Sequence, residues 1–460
     1  MATTRDQVAA YDYESRRRVT SLVLGADEAG RDPRRRLNRT LFGSAIVGIL
    51  TMAGYGIAGW LGGGSGPALP QAGAVIVKGT GDRYVVADGV LHPALNLASA
   101  LLVGGGSVTS VRASALEGKP RGLPVGIPNA PDGMPEHLTA GAWTVCAQPA
   151  DSQRTKPPVE VLVGMKAPAD GTLGTGQAVV VTEGTNTWLV TGGQRFQLVD
   201  KATAALNPNG VNTIAVPGAV LNTIPEGPQL IIPTVASGGA PARDIGVPGA
   251  RVGDLLHSDI AGQQRYYLVR DDGVNVLTQL TYTLLAAGGH PTREITVLPA
   301  PESGQPVGQV GWPSRVPTPV SPQLEQPLCI STTPGEAAGD APWRVTISVP
   351  TGMPQPTGTT PVISKTGDLV SVATSVTLAP GADGALVKAT TSAGQDGAYV
   401  LITETGQRYR ISSADAVARL GYRIEDASPL PLPFVTLLPA GPTLDPQAAA
   451  TEYTGAGTPN

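Results

Sequence analysis

Between Arg39 and Lys78 the chain of 460 residues carries no charged side chain, and nothing else in the sequence restricts folding as strongly. Its apolar centre runs Thr40-Leu41-Phe42-Gly43-Ser44-Ala45-Ile46-Val47-Gly48-Ile49-Leu50 and on through Tyr55 to Trp60-Leu61. A helix needs about 20 apolar residues to cross a hydrocarbon core about 30 Å thick, so the run predicts a single transmembrane helix over 40–61. Tyr55 and Trp60 suit the far interface. Arg31, Arg34, Arg35, Arg36 and Arg39 crowd the N-terminal flank, whereas Gly62-Gly63-Gly64-Ser65-Gly66 on the other side holds no base. The positive-inside rule then predicts a cytoplasmic tail over 1–39, a linker over 62–77 and a large extracytoplasmic part in a plasma-membrane protein. Asp32-Pro33 reads as an N-cap followed by a first helical proline. Ser44 to Gly48 and Gly54 to Ala58 would let a second helix approach closely. The competing reading is a cleaved secretory signal ending near Ala72-Gly73-Ala74; the long tail and long apolar run argue against it.

Glycine and proline number 59 and 43, which disfavours long uninterrupted helices and favours short strands joined by turns. The expected fold class is therefore strand-rich α+β, with a core built mainly of Val, Leu, Ile and Ala because aromatics are only 4% of residues. The tail carries nine arginines against six carboxylates, and the remainder is net negative. No basic face remains to neutralise phosphates along a strand, which excludes nucleic acid as a partner of the large part. In the tail, Val8, Tyr11, Val19, Leu22 and Val23 share one helical face with Arg16, Arg17 and Arg18 around it. That face predicts lodging on anionic lipid or docking on cytoplasmic subunits.

Cys146 and Cys329 are the two cysteines. On an exported domain an even pair reads as a disulfide tying the first half to the second, with two separate buried thiols as the alternative. His92, His137, His257 and His290 are scattered, with no metal-ligand spacing. Neither a nucleophile elbow nor a Walker A loop occurs, and Gly118-Lys119-Pro120 lacks the flanking residues that would hold a phosphate. Gly104-Gly105-Gly106-Ser107 reads as a turn after a helix. No catalytic, cofactor-binding or metal-binding residue emerges.

One pattern recurs: an aromatic opens an apolar run, a glycine turn follows, and a second apolar stretch leads into a short helix. It begins at Tyr84, Trp188, Tyr267 and Tyr399 and reads as four hairpins. After the last, Ser413 caps a helix over 414–420 that Gly421 stops. The intervals are too uneven for a regular propeller or solenoid. They predict four small ββα-like modules around a central β-rich unit, in a distorted propeller-like arrangement over 78–440. The central strands would come from about 120–180, 215–260 and 300–390, with Pro313 to Pro327 an exposed connection and 441–460 a flexible tail.

Several strings also resemble a known family. Leu91-His92-Pro93-Ala94-Leu95-Asn96-Leu97-Ala98-Ser99-Ala100, Val125-Gly126-Ile127-Pro128 with Ala130-Pro131, and Trp143-Thr144-Val145-Cys146 are similar to EccB, conserved component B of the type VII (ESX) secretion system of actinobacteria. So are Val247-Pro248-Gly249-Ala250-Arg251-Val252-Gly253, Gly406-Gln407-Arg408-Tyr409, and Leu438-Pro439 with Gly441-Pro442 and Leu444. The likeness covers nearly the whole chain, departing in a short tail after Pro442 and in His92, where the family often has Tyr. It implies a membrane-anchored structural subunit of an export complex, with an EccC-type motor ATPase, EccD, EccE and a mycosin protease as partners, homo-oligomeric contacts, and one disulfide between Cys146 and Cys329. Family members are often labelled ATPases, so ATP is the one cofactor the resemblance brings in. A membrane-anchored cell-wall receptor is the third reading.

Overall fold

The computed structural model describes residues 4–24, 40–41, 43–53, 68–149, 158–199, 201–207, 209–260, 262–304, 306–335, 343–363, 372–391 and 396–453. The chain divides into two compact units, one of residues 1–69 with 111–115 and one of 70–110 with 116–460.

In the first unit α1 (Thr4–Leu24) keeps Val8, Tyr11, Val19 and Leu22 exposed, with Arg16–Asp12 and Arg18–Glu14 ion pairs one turn apart at 2.9 and 3.1 Å. Residues 40–41 and 43–53 are helical and form α2. Its apolar side chains Leu41, Ile46, Val47, Ile49, Leu50 and Met52 are all exposed. The rest of the predicted span, 54–61, lies outside the described residues, as does Asp32-Pro33. Among the described residues no helix is long and apolar enough to cross a membrane.

The second unit begins earlier than expected, because β1 (Gly73–Val77) already occupies the end of the predicted linker. β2 (Arg83–Ala87) and β3 (Val90–Pro93) follow, then α3 (Leu97–Gly104) and β4 (Val108–Val111), giving a sheet ordered β3-β2-β1-β4. Asp88 and Gly89 both take positive φ, 51° and 76°, as a two-residue hairpin turn matching strand twist requires. β5 (Trp143–Ala147) and β6 (Val159–Val163) belong elsewhere. The pattern then returns in β7 (Gln177–Glu183), β8 (Asn186–Thr191), β9 (Gln194–Leu198), α4 (Ala202–Leu206) and β10 (Ile214–Ala215), with α5 (Gly218–Leu221) after it. A third copy is β11 (Leu255–Ile260), β12 (Gln263–Val269), β13 (Val274–Leu277), α6 (Gln279–Ala287) and β14 (Thr292–Glu294). β15 (Thr318–Pro319) pairs with β7 inside the stretch expected to be a bare connection. β16 (Leu328–Thr332), β17 (Thr346–Ser348), β18 (Val362–Ile363) and β19 (Ser375–Leu378) join β5 and β6 in a six-stranded sheet ordered β17-β16-β5-β6-β19-β18. The fourth copy is β20 (Gly384–Thr390), β21 (Ala398–Thr403), β22 (Arg408–Ile411), α7 (Ala414–Arg419) and β23 (Ser428–Pro431), followed by α8 (Leu432–Thr436) and α9 (Pro446–Ala449).

All four small sheets thus run third, second, first, fourth strand, with the helix between third and fourth. Tyr84, Trp188, Tyr267 and Tyr399 all stand on the second strand. The central sheet draws nothing from 215–260, contrary to expectation; β11 there belongs to the third small sheet, and β7 likewise to the second.

Each third strand also receives an extended segment on its outer edge. Arg121, Glu226, Glu302 and Ala440 bridge in parallel to Leu91, Arg195, Val274 and Arg408. The carbonyls of Pro120, Pro225, Pro301 and Pro439 accept from those same four amides at 2.9, 2.9, 2.9 and 2.8 Å. In return the amides of Gly122, Gly227, Ser303 and Gly441 donate to the four carbonyls at 3.0, 2.8, 2.7 and 2.8 Å. The closing segment is Pro-x-Gly in three sheets and Pro301-Glu302-Ser303 in the other. Glycine is needed because a Cβ at Gly122, Gly227 or Gly441 would overlap the ring of His92, Phe196 or Tyr409. An edge covered this way cannot template pairing with another chain.

A single apolar cluster joins one face of the central sheet (Trp143, Val145, Val161, Ile330) to the second small sheet (Val179, Val181, Val190) and the fourth (Val387, Val400, Ile402). The far face of the fourth holds Leu386, Leu401 and Tyr409 against Ala98 and Leu102 of α3 and Val417 of α7. The far face of the second holds Val180, Leu189 and Phe196 against Leu280 and Leu284 of α6. Residues 441–453 are packed rather than loose: Leu444 and Ala449 are fully buried, and Asp445 caps α9 by accepting from the amides of Gln447 and Ala448. Leu444 docks because its amide donates to Arg410 at 2.7 Å, continuing the closing ladder. Only 454–460 of the predicted tail lies outside the described residues.

Candidate functional site: the stapled central sheet

β5 and β16 alternate strictly. Trp143, Val145, Ala147, Leu328 and Ile330 face the shared core, so Thr144, Cys146, Cys329 and Ser331 face the other side. The antiparallel register sets Cys146 opposite Cys329, with Cα atoms 4.1 Å apart and the sulfurs joined. The disulfide closes a separation of 183 residues, no cysteine is free, and the reading of two separate thiols is excluded. Ser413 caps α7 by accepting from the Ala416 amide, and Gly421 beyond it takes φ 89°.

Glu160 stands opposite Cys146 on the neighbouring strand. It is only 8% exposed, and its carboxylate accepts from the Thr377 hydroxyl at 3.0 Å. Burial pushes its pKa up, and the Thr377 hydrogen bond offsets part of that. A buried carboxyl favours its neutral form. Beside it the Thr144 and Ser331 hydroxyls lie 2.7 Å apart. A strap over 165–173 crosses these hydroxyls: Thr144 donates to the Met165 carbonyl at 2.9 Å, and the Ala167 amide donates to Ser331 at 3.1 Å. The strap then pairs with β17, where Leu173 donates to Ile347 at 2.9 Å and Val349 to Gly171 at 2.8 Å. Between strap and sheet lies a cavity of about 130 Å³ reached by Lys166 and Arg344. Arg344 and Thr346 also line an adjoining cleft of about 670 Å³.

A buried and a half-buried arginine clamp closing segments. Arg195, 8% exposed, donates to Asn222 and Glu226 at 2.8 Å each and lies 5.0 Å over the Trp188 ring. Arg408 donates to the Leu438 carbonyl at 3.0 Å, and burial lowers its pKa. The histidines serve separate local contacts: His92 with the Leu123 carbonyl, His290 with that of Gly253, His257 with Tyr282 and His137 with Asp383. Gly104 ends α3, and Gly105 is its left-handed cap. Arg31, Arg34, Arg35, Arg36 and Arg39 all lie outside the described residues. Sequence reasoning missed the clamp arginines and the closing segments, whose available signal was Pro-x-Gly recurring at Pro120, Pro225 and Pro439.

The molecule these features define is a multi-sheet β scaffold, stapled at its centre and closed at its edges. The chain belongs to the EccB family of type VII secretion proteins, since the family model described as "Type VII secretion system ESX-1, transport TM domain B" matches residues 1–457. "ESX-5 secretion system ATPase EccB5" of Mycobacterium tuberculosis (strain ATCC 25618 / H37Rv) is 30% identical over 66% of this chain, which spans about 63% of that relative's length. A subunit in the "Structure of an intact ESX-5 inner membrane complex, Composite C3 model" is 25% identical with a TM-score of 0.65, covering 100% of this chain and 97% of that one. A subunit in the "Structure of the periplasmic assembly from the ESX-5 inner membrane complex, C1 model" is 27% identical with a TM-score of 0.64, over 86% and 97%.

Proposed function

We propose that this protein is a membrane-anchored structural subunit of a type VII protein export complex, in which its four like sheets are repeat modules arranged around the stapled central sheet outside the membrane. The observation that carries this reading is the whole-chain likeness to a subunit of an ESX-5 inner-membrane complex. The anchor is residues 40–61, read with the arginine flank inside. Apolar side chains of α2 project on every side and are exposed, the pattern of a helix meant for an apolar surrounding. Ser44 and Thr51 return their hydroxyls to carbonyls one turn back, at 3.0 Å to Leu41 and 2.9 Å to Val47, which removes polar groups from that surrounding. The expected partners are an EccC-type motor, EccD, EccE, a mycosin protease and further copies of this chain, with lipid around the anchor. Affinity purification from gently solubilised membranes tests the reading: the chain should emerge with a motor ATPase and other membrane subunits. A chain that emerges alone would sink it.

A second reading, ATP hydrolysis, is favoured by relatives that are named as ATPases, such as EccB5 of Mycobacterium tuberculosis. Purified full-length protein that turns over ATP, and loses turnover through one point substitution, would establish it.

A further inference from the structure

We infer that the small cavity between the strap and the polar face of the central sheet is a binding site for a phosphate-type oxyanion. The sheet register places Ser331 opposite Thr346, and Ser348 follows Thr346 on the same face, as the two-residue strand period dictates. The strap crosses this face and is held at both ends of the cavity, by the Ala167 amide on Ser331 at 3.1 Å and by the Gly171 carbonyl on the Val349 amide at 2.8 Å. A volume of about 130 Å³ equals about four waters at ~30 Å³ each. That is room for a four-oxygen ion with a water.

Lys166 and Arg344 line the cavity with the hydroxyl residues Thr333, Thr346 and Ser348, and among the described residues none of the lining is a carboxylate. This runs against the average, because the chain outside the tail is net negative. The neighbouring Asp170 carboxylate is occupied by the Thr351 amide and hydroxyl at 3.2 and 3.3 Å. Guanidinium and ammonium groups backed by hydroxyl donors are the chemistry that binds phosphate oxygens. The second, independent sign is Ser348. Its residue is 1% exposed, and its buried hydroxyl has no hydrogen-bond partner among the described residues. A buried orphan hydroxyl is costly unless something completes it, and an anion drawn in by the two cations supplies the missing acceptor. The adjoining cleft shares Arg344 and Thr346, so the ion is either free phosphate or the phosphate of a lipid headgroup whose remainder lies in the cleft.

The test uses the full-length chain in micelles of a non-ionic detergent, titrated calorimetrically with inorganic phosphate at constant ionic strength. Saturable binding is expected. Lys166→Gln and Arg344→Gln, both at exposed positions, should each weaken it about tenfold, the loss of one charge-assisted contact, and the double variant should abolish it. Ser348→Ala should weaken phosphate binding while leaving the phosphate-free melting temperature unchanged or higher, a split that a merely structural serine would not give. Lys78→Gln, at the exposed β1–β2 turn, should change nothing. A short-chain soluble phosphatidylglycerol added as competitor separates the sources: displacement of phosphate identifies the headgroup, and no displacement identifies the free ion. Non-saturable heat, or equal losses from Lys78→Gln and Lys166→Gln, would overturn the site.

Discussion

The third and fourth small sheets share one connectivity and differ in what covers them. The fourth is buried on both faces, by the central sheet on one side and by α3 and α7 on the other. Among the described residues the clusters on the third draw on 235–307, and its β11–β12 tip leaves Gln263, Gln264 and Arg265 exposed. Their sequences follow suit. β21 reads Val400-Leu401-Ile402, a continuous apolar run suited to two covered faces, whereas β12 opens with polar residues. The difference teaches that one topology can be the cooperative centre of a molecule in one place and a locally stabilised outwork in another, with neighbours deciding which.

Removing the staple should have the largest effect. In the chain-entropy model a closed loop of 183 residues is worth about 5 kcal/mol, so Cys146→Ala with Cys329→Ala should lower the denaturation midpoint sharply. Hydrogen exchange should then speed up in the fourth sheet and the central sheet before the third, and the reverse order would break the comparison. Next, Leu401→Ala at a fully buried position should cost about 3 kcal/mol. Val276→Ala, at a side chain 57% exposed, should stay within about 0.5 kcal/mol. Gly441→Ala comes third, at about 2 kcal/mol, because the new methyl must displace the Tyr409 ring; in the third sheet the matching Ser303 already carries a Cβ.

The two smallest effects depend on pH. Burial alone would raise the pKa of Asp383, but the amides of Glu136 and His137 and the His137 imidazole outweigh it and the pKa is lowered. Its contribution is therefore complete above the ordinary carboxyl value of about 3.9 and lost as pH falls through the lower folded value. Asp383→Asn should cost about 1 kcal/mol at pH 7 and nothing in strong acid, as melting curves across pH would read. Glu160 has the opposite sign: its raised pKa makes stability fall as pH rises through that value. Glu160→Gln should flatten that slope, and an unchanged slope would show the carboxyl is not its source.

The hairpins were legible because turn chemistry is local. Asp88-Gly89 and Gly192-Gly193 announce a two-residue reversal between apolar runs, and Ser413 with Gly421 brackets a helix. The fourth strands and closing segments were not, since a two-residue strand such as Ile214-Ala215 has no periodicity and proline reads as loop. In Pro120, Pro225, Pro301 and Pro439 the carbonyl is what pairs, so the missing amide costs nothing. The pairing within the central sheet stayed hidden because β6 and β19 pair in parallel across more than 200 residues of sequence. Strand alternation puts Thr144 and Ser331 on the polar face of the sheet, and only the strap explains why they are buried. The disulfide could be anticipated from the count of cysteines, but Glu160 beside it could not.

The two ends of the second unit are laced together. Val125, which extends the edge of β3, also bridges to Glu452; the Tyr453 amide donates to the Pro124 carbonyl at 2.7 Å, and α3 lies against α9. A tug on the strand leading into β1 is therefore not borne by the first sheet alone. It passes through this seam to α9 and Tyr453, so that the domain resists mechanical load as a closed loop rather than a string of beads, and cutting the chain after Leu444 would open the loop at its first link.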